Sequence, residues 1–150
     1  VTVRFELSTT IEAPVQAVFD ASLDIDAHLA SMESSGEMAV GGVTSGKIAL
    51  GETVTWRARH FGIVWKMTSK ITEMDEPRRF VDEQVRGPFR RFRHEHEFHE
   101  HGAHTHMVDK ILFDAPFWLL GDAVETIALG RYLPKLIMER NAFLKSELER

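Results

Sequence analysis

Residues 91–113 read RFRHEHEFHEHGAHTHMVDKILF, and their alternation decides the architecture. Between positions 90 and 100, Phe92, His94, His96 and Phe98 share one side of an extended chain, while Arg91, Arg93, Glu95, Glu97 and His99 share the other. Successive side chains of a β-strand point to opposite faces, so this is a strand with an aromatic inner face and a charged outer one. After Gly102-Ala103 the pattern resumes over 105–114, with Met107, Asp109, Ile111 and Phe113 on one side. If the two residues Gly102 and Ala103 form the hairpin loop, paired positions sum to 205 and His96 lies opposite Asp109. A slip of one residue would turn every side chain to the other face, so the pairing is a sharp expectation.

Strand candidates at 53–60, 63–73 and 79–86 precede this hairpin. They are separated by the turn signals Phe61-Gly62, Asp75-Glu76-Pro77 and Gly87-Pro88, as in an antiparallel meander. The opening VTVRFELSTTIEA alternates Val3, Phe5 and Leu7 with polar residues and reads as a further strand. Pro14 fits the first turn of a helix carrying Val15, Val18, Phe19 and Ser22. Asp24 or Asp26 can cap a second short helix with Ala27, Leu29, Ala30 and Met32. Gly41, Gly42, Gly46 and Gly51 punctuate the next stretch, which suits an ordinary hairpin or a segment gating a cavity mouth.

At the other end, Asp122 followed by Glu125 marks a helix start, and apolar residues recur at 129, 133, 136, 137, 144 and 148. Pro134 predicts a kink or restart between Gly130 and Pro134, because proline lacks the backbone donor and crowds the preceding turn. The fold class is therefore α+β. Six to seven antiparallel strands curve around a long C-terminal helix, with two short helices after the first strand, in a single domain over 1–150.

The chain has 150 residues, 43% of them hydrophobic, with a formal net charge of −5 and no cysteine. That length encloses one core with room for a cavity. Negative charge opposes phosphate backbones, so no nucleic-acid partner is expected. The absence of cysteine removes disulfide and thiolate chemistry. The first residues lack a basic, apolar leader pattern, and no stretch approaches the roughly 20 apolar residues of a membrane span. A cytoplasmic protein without integral membrane association is the expectation; oligomeric state is not legible. GGVTSGK lacks phosphate-loop spacing, and no GxSxG, HExxH or EF-hand pattern occurs.

The element order, with IEAPVQAVFD, GETVTWRARHFG, DEQVRGPFRRFRHEHEF and RYLPKLIMERNAFLK, resembles the START-like helix-grip superfamily. That superfamily includes polyketide cyclase/dehydrase and lipid transport proteins, and within it the sequence resembles a bacterial ligand-binding branch. The resemblance spans nearly the whole chain and implies a hydrophobic cavity between sheet and long helix. The proline of YLPKL departs from the pattern, since such proteins usually keep this helix continuous.

On that reading the partner is a small hydrophobic ligand. Trp56, Trp65, Met67, Phe92 and Leu136 are expected to line the cavity, and His94, His96, Asp109 and Arg140 to meet a polar end. Strand 79–86 offers Phe80, Asp82 and Gln84 against Val81, Glu83 and Val85 for the inner face, and the resemblance favours Gln84. Arg140 falls on the apolar stripe of the last helix and needs a partner, either a ligand carboxylate or an acid of the cavity. Asp109 beside His96 predicts an imidazole that holds its proton to higher pH, as acid/base chemistry requires. His96, Asp109 and His94 are thus the catalytic candidates of an alternative reading, a cyclase, dehydratase or isomerase; a third reading is an interaction domain with a filled core. No cofactor is expected. A metal would need a third ligand beside His94 and His96, from Asp109 or strand 79–86, and no second spaced motif supplies one, so no metal is expected. His99, His101, His104 and His106 belong to a solvated hairpin end.

Overall fold

The computed structural model describes residues 2–116 and 123–150. The helix start expected at Asp122, with the side chain of Glu125, lies outside the described residues. In chain order come β1 (Thr2–Ile11), α1 (Val15–Leu23), α2 (Ile25–Ser31), a short 3-10 turn, β2 (Met38–Gly42), β3 (Thr53–His60) and β4 (Ile63–Asp75). They are followed by β5 (Arg79–Arg86), β6 (Arg91–His101), β7 (His104–Asp114) and α3 (Ala123–Leu148). The seven strands form one antiparallel sheet in the order β1-β7-β6-β5-β4-β3-β2. This curved sheet with a long C-terminal helix is a helix-grip fold.

The β6–β7 hairpin has the register its loop implies: His96 pairs with Asp109, Phe98 with Met107 and His101 with His104. Its tip is Gly102 in the left-handed region at φ 61°, followed by Ala103. α1 begins one residue after Pro14, which serves as the N-cap. Asp24 caps α2, its carboxylate accepting from the Ala27 amide at 2.9 Å.

The glycine-rich stretch forms the edge strand β2 and a connection held by main-chain bonds at both sides. Ile48 N donates to Leu23 O at 3.1 Å and Gly51 N to Ile71 O at 2.8 Å, which ties the stretch to α1 and β4. Gly42 sits at φ 66°, and a Cβ there would come within 2.2 Å of the Thr53 carbonyl oxygen, so only glycine fits.

α3 runs as one helix through Pro134, so of the kink or restart expected there the restart does not occur. The proline's missing donor and its contact with the preceding turn are tolerated because the helix is anchored on either side of it. Leu129, Leu136 and Leu144 are buried against the rest of the protein.

Two apolar clusters pack between sheet and helices. One gathers Ile11, Phe19, Leu23, Phe80, Phe98, Met107 and Leu144; the other gathers Phe89, Ile111, Phe113 and Leu129. Between them, at one level of β6, β7 and α3, lies a buried polar belt: His94, His96, Asp109, Arg140 and Asn141.

Candidate functional site

The belt forms because each strand carries one or two polar residues where its inner face would otherwise continue apolar. On β6 the order is Phe92, His94, His96, Phe98; on β7 it is Met107, Asp109, Ile111; on β5 Asp82 follows Phe80. Register aligns them, pairing Asp82 with His94 and His96 with Asp109. α3 closes the arrangement with Arg140 and Asn141.

Asp109 is fully buried and saturated with donors. Arg140 Nη2 donates to its Oδ1 at 2.6 Å and Asn141 Nδ2 to its Oδ2 at 2.7 Å, while His94 Nε2 lies 2.7 Å from Oδ1. Arg140 also donates to Asn141 Oδ1, and Asn141 reaches Thr9 Oγ1 on β1. Burial alone would raise the Asp109 pKa. The Arg140 charge and the His94 hydrogen bond outweigh it and hold the carboxyl well below the usual range.

The His96 expectation is overturned in two respects. Cross-strand opposition fixes Cα positions, not hydrogen-bond partners. Asp109 is drawn to Arg140, Asn141 and His94, which leaves its Oδ1 3.6 Å from His96 Nδ1, whereas His96 Nε2 bonds Asp82 Oδ2 at 2.7 Å. The His96 ring is stacked between Phe80, at 4.0 Å between centroids, and His94, at 3.7 Å. Burial disfavours its charged form, the neighbouring His94 adds to this, and Asp82 only partly compensates. The His96 pKa accordingly falls to about 4 instead of rising. His96 is thus a neutral ring donating to the Asp82 carboxylate. For Asp82 burial would raise the pKa, but the hydrogen bond from His96, with Arg140 nearby, outweighs it and lowers the value, so Asp82 stays ionised.

These groups form part of the wall of a cavity of about 190 Å³ between α3 and the sheet. Trp56, Trp65, Met67, Phe92 and Leu136 all line it, together with His94, His96 and Arg140. The core at those positions is therefore not filled. Asp82 lines the cavity as well and keeps 21% of its side chain accessible.

Two expected site residues stand elsewhere. Asp109 is behind the wall, orienting His94 and Arg140. Gln84 clamps the turn after β5: its Nε2 donates to Phe89 O at 2.7 Å and its Oε1 accepts from Phe89 N at 3.2 Å, so its amide is occupied. Arg140 has found an acid of the protein, not a free position for a ligand carboxylate.

Sequence reasoning left Asp82 undecided and missed Asn141, although the latter adjoins Arg140. It also missed two polar pairs around the cavity. His28 Nε2 meets Glu37 Oε1 at 2.6 Å beside Trp56, and His60 Nδ1 meets the Tyr132 hydroxyl at 2.7 Å. Burial lowers the His60 pKa. His99 and His101 are exposed and His104 and His106 half-buried at the hairpin end.

No helix among the described residues is long and apolar enough to cross a membrane. A family model described as "Polyketide cyclase / dehydrase and lipid transport" matches residues 2–149. A search of the curated proteins returns no match. Solved structures share the fold at low identity. Ara h 8.0201 superposes with a TM-score of 0.71 at 13% identity, covering 99% of this chain and 98% of that one. The Zhui aromatase/cyclase from Streptomyces sp. R1128 gives 0.70 at 16%, covering 100% and 95%. TTHA0849 from Thermus thermophilus gives 0.67 at 19%, covering 99% and 94%.

Proposed function

Because this chain belongs to the polyketide cyclase / dehydrase and lipid transport family, we propose that it binds a small, largely apolar molecule between α3 and the sheet, as a soluble cytoplasmic binding or carrier protein. The observation that carries the reading is the composition of the cavity wall. Aromatic and aliphatic side chains make up most of it, and Asp82, His94 and His96 form a polar patch on it, with the His28–Glu37 and His60–Tyr132 pairs elsewhere on the wall. An apolar cavity of about 150 Å³ accommodates benzene, so the cavity here suits a molecule of at least one ring. Arg140 is already neutralised by Asp109. The polar patch therefore suits a hydroxyl or carbonyl end better than a carboxylate, which would face Asp82 without a free cation.

Mass spectrometry under non-denaturing conditions, before and after delipidation, tests this. A discrete bound mass that delipidation removes supports it. A protein that carries nothing and takes up no apolar compound rejects it.

One observation favours a second reading. Two histidines of the cavity wall each bond a carboxylate, His96 to Asp82 beside it and His94 to Asp109 behind the wall. Such an arrangement can move a proton beside a carbonyl, as in a cyclase, dehydratase or isomerase. Turnover of a cyclisable carbonyl compound that is lost in Asp82→Asn, with binding retained, would establish it.

A further inference from the structure

We infer that Asp82, His94 and His96 form a site for a divalent transition-metal ion on the wall of the cavity. One ligand atom from each of these residues lies within 4.8 Å of the others. They come from adjacent strands of one rigid sheet, with both histidines buried. Two imidazoles and a carboxylate, without sulfur, are the donor set of Zn²⁺, Fe²⁺ or Co²⁺.

The hydrogen bonding gives an independent reason. His96 Nδ1 is buried with no hydrogen-bond partner. While the ring donates through Nε2 to Asp82, Nδ1 carries a lone pair, and the polar atom facing it is Asp109 Oδ1 at 3.6 Å, itself an acceptor. A cation bridging His96 Nε2 and Asp82 removes this conflict. The ring proton then resides on Nδ1, where it faces Asp109, and the Nε2 lone pair goes to the metal. The change is one of tautomer, with no net gain or loss of protons by His96.

His94 has matching support: its Nε2 is held by Asp109, which leaves Nδ1 to ligate once the ring tips out of its 3.7 Å stack on His96. Asp109 is in turn fixed by Arg140 and Asn141, giving the carboxylate–histidine support that metal-bound imidazoles generally have. Two carboxylates against one guanidinium leave the cluster with one net negative charge before the histidines are counted, which suits a cation. The cavity side of such an ion remains available to an oxygen of the bound molecule. The inference thus rests on the cavity reading above and makes its polar patch a Lewis-acidic one.

The test uses Co²⁺ and Zn²⁺ alone, with no organic ligand, on chelator-stripped protein. Its outcome is therefore independent of whether apolar molecules bind. His99, His101, His104 and His106 are first replaced by Gln, because His101 and His104 lie 5.8 Å apart between ring centroids and could capture metal at the surface. In this background one equivalent of Co²⁺ should give a visible d–d band that Zn²⁺ displaces. Asp82→Asn, the ligand variant with an accessible side chain, should lose the band while keeping its circular dichroism, and His96→Gln should lose it too. Asp109→Asn should weaken Co²⁺ binding by about 10- to 100-fold. No stoichiometric band in the background protein, or a band unchanged by Asp82→Asn, overturns the site.

Discussion

Removing the charge of Asp109 should expose how strongly the polar belt is coupled. The carboxylate is fully buried and takes hydrogen bonds from Arg140 and Asn141 at 2.6 and 2.7 Å. In Asp109→Asn the Arg140 guanidinium, 5% exposed, keeps only neutral acceptors, the Asn141 oxygen and the amide oxygen of the new side chain, and loses its counter-charge. Breaking a buried ion pair from one side costs about 3–5 kcal/mol, and Asp109→Asn should fall toward the upper end. Arg140→Met should cost less, about 3 kcal/mol, since the carboxylate retains Asn141 and His94. The double variant should not cost the sum of the two, because no unpaired charge remains buried; a coupling of about 2–3 kcal/mol is expected. Urea unfolding of the four proteins in the presence of chelator measures the cycle. Additivity within about 0.5 kcal/mol, or a loss below about 1 kcal/mol in Asp109→Asn, would refute this account of the belt.

Pro134→Ala should stabilise the protein by roughly 1–3 kcal/mol, since α3 already runs through this position and alanine restores the missing donor; an unchanged or lower thermal midpoint would contradict this. Gly42→Ala should destabilise by more than about 1 kcal/mol, because its Cβ would meet the Thr53 carbonyl oxygen at 2.2 Å in a left-handed conformation, and chemical denaturation reads the loss. The His60 ring, whose pKa burial lowers, should titrate below the ordinary 6.5 in proton NMR. Its folded pKa is depressed, so the stability it contributes is present above pH 6.5 and declines as the pH falls through the folded value; a midpoint at or above 6.5 would contradict the assignment.

The antiparallel meander from β3 to β7 and the β6–β7 register were legible because each depends on alternation and turn chemistry, which are local; the pairing of β1 with β7 and the edge strand β2 were not. Phe92, His94, His96 and Phe98 had to share a face once residues 91–101 were extended. The pairing of individual polar groups was not legible in the same way. Asp109 sits opposite His96 in the backbone yet bonds His94, Arg140 and Asn141, a choice made by α3 from 31 and 32 residues away. The His96 pKa followed this exchange of partners: with Asp109 engaged elsewhere and Phe80 and His94 on its two faces, desolvation prevails. Gln84 was placed on the inward face, but the neighbouring 87–90 turn claimed its amide. Pro134 suggested a kink or a restart because its cost is local; the packing of α3 on both sides of it, which keeps the helix continuous, is not local.

Titration of chelator-treated protein with the neutral dye N-phenyl-1-naphthylamine, in wild type and in Ala58→Phe, tests the cavity reading most directly. Ala58 is buried and lines the cavity, so the added ring occupies the space proposed for the ligand. Wild type should show one saturable site, and the variant, verified as folded by circular dichroism, should bind at least about tenfold more weakly, a difference of about 1.4 kcal/mol. Absence of saturable binding in wild type, or equal affinity in the two proteins, would contradict the proposal that this cavity holds an apolar molecule.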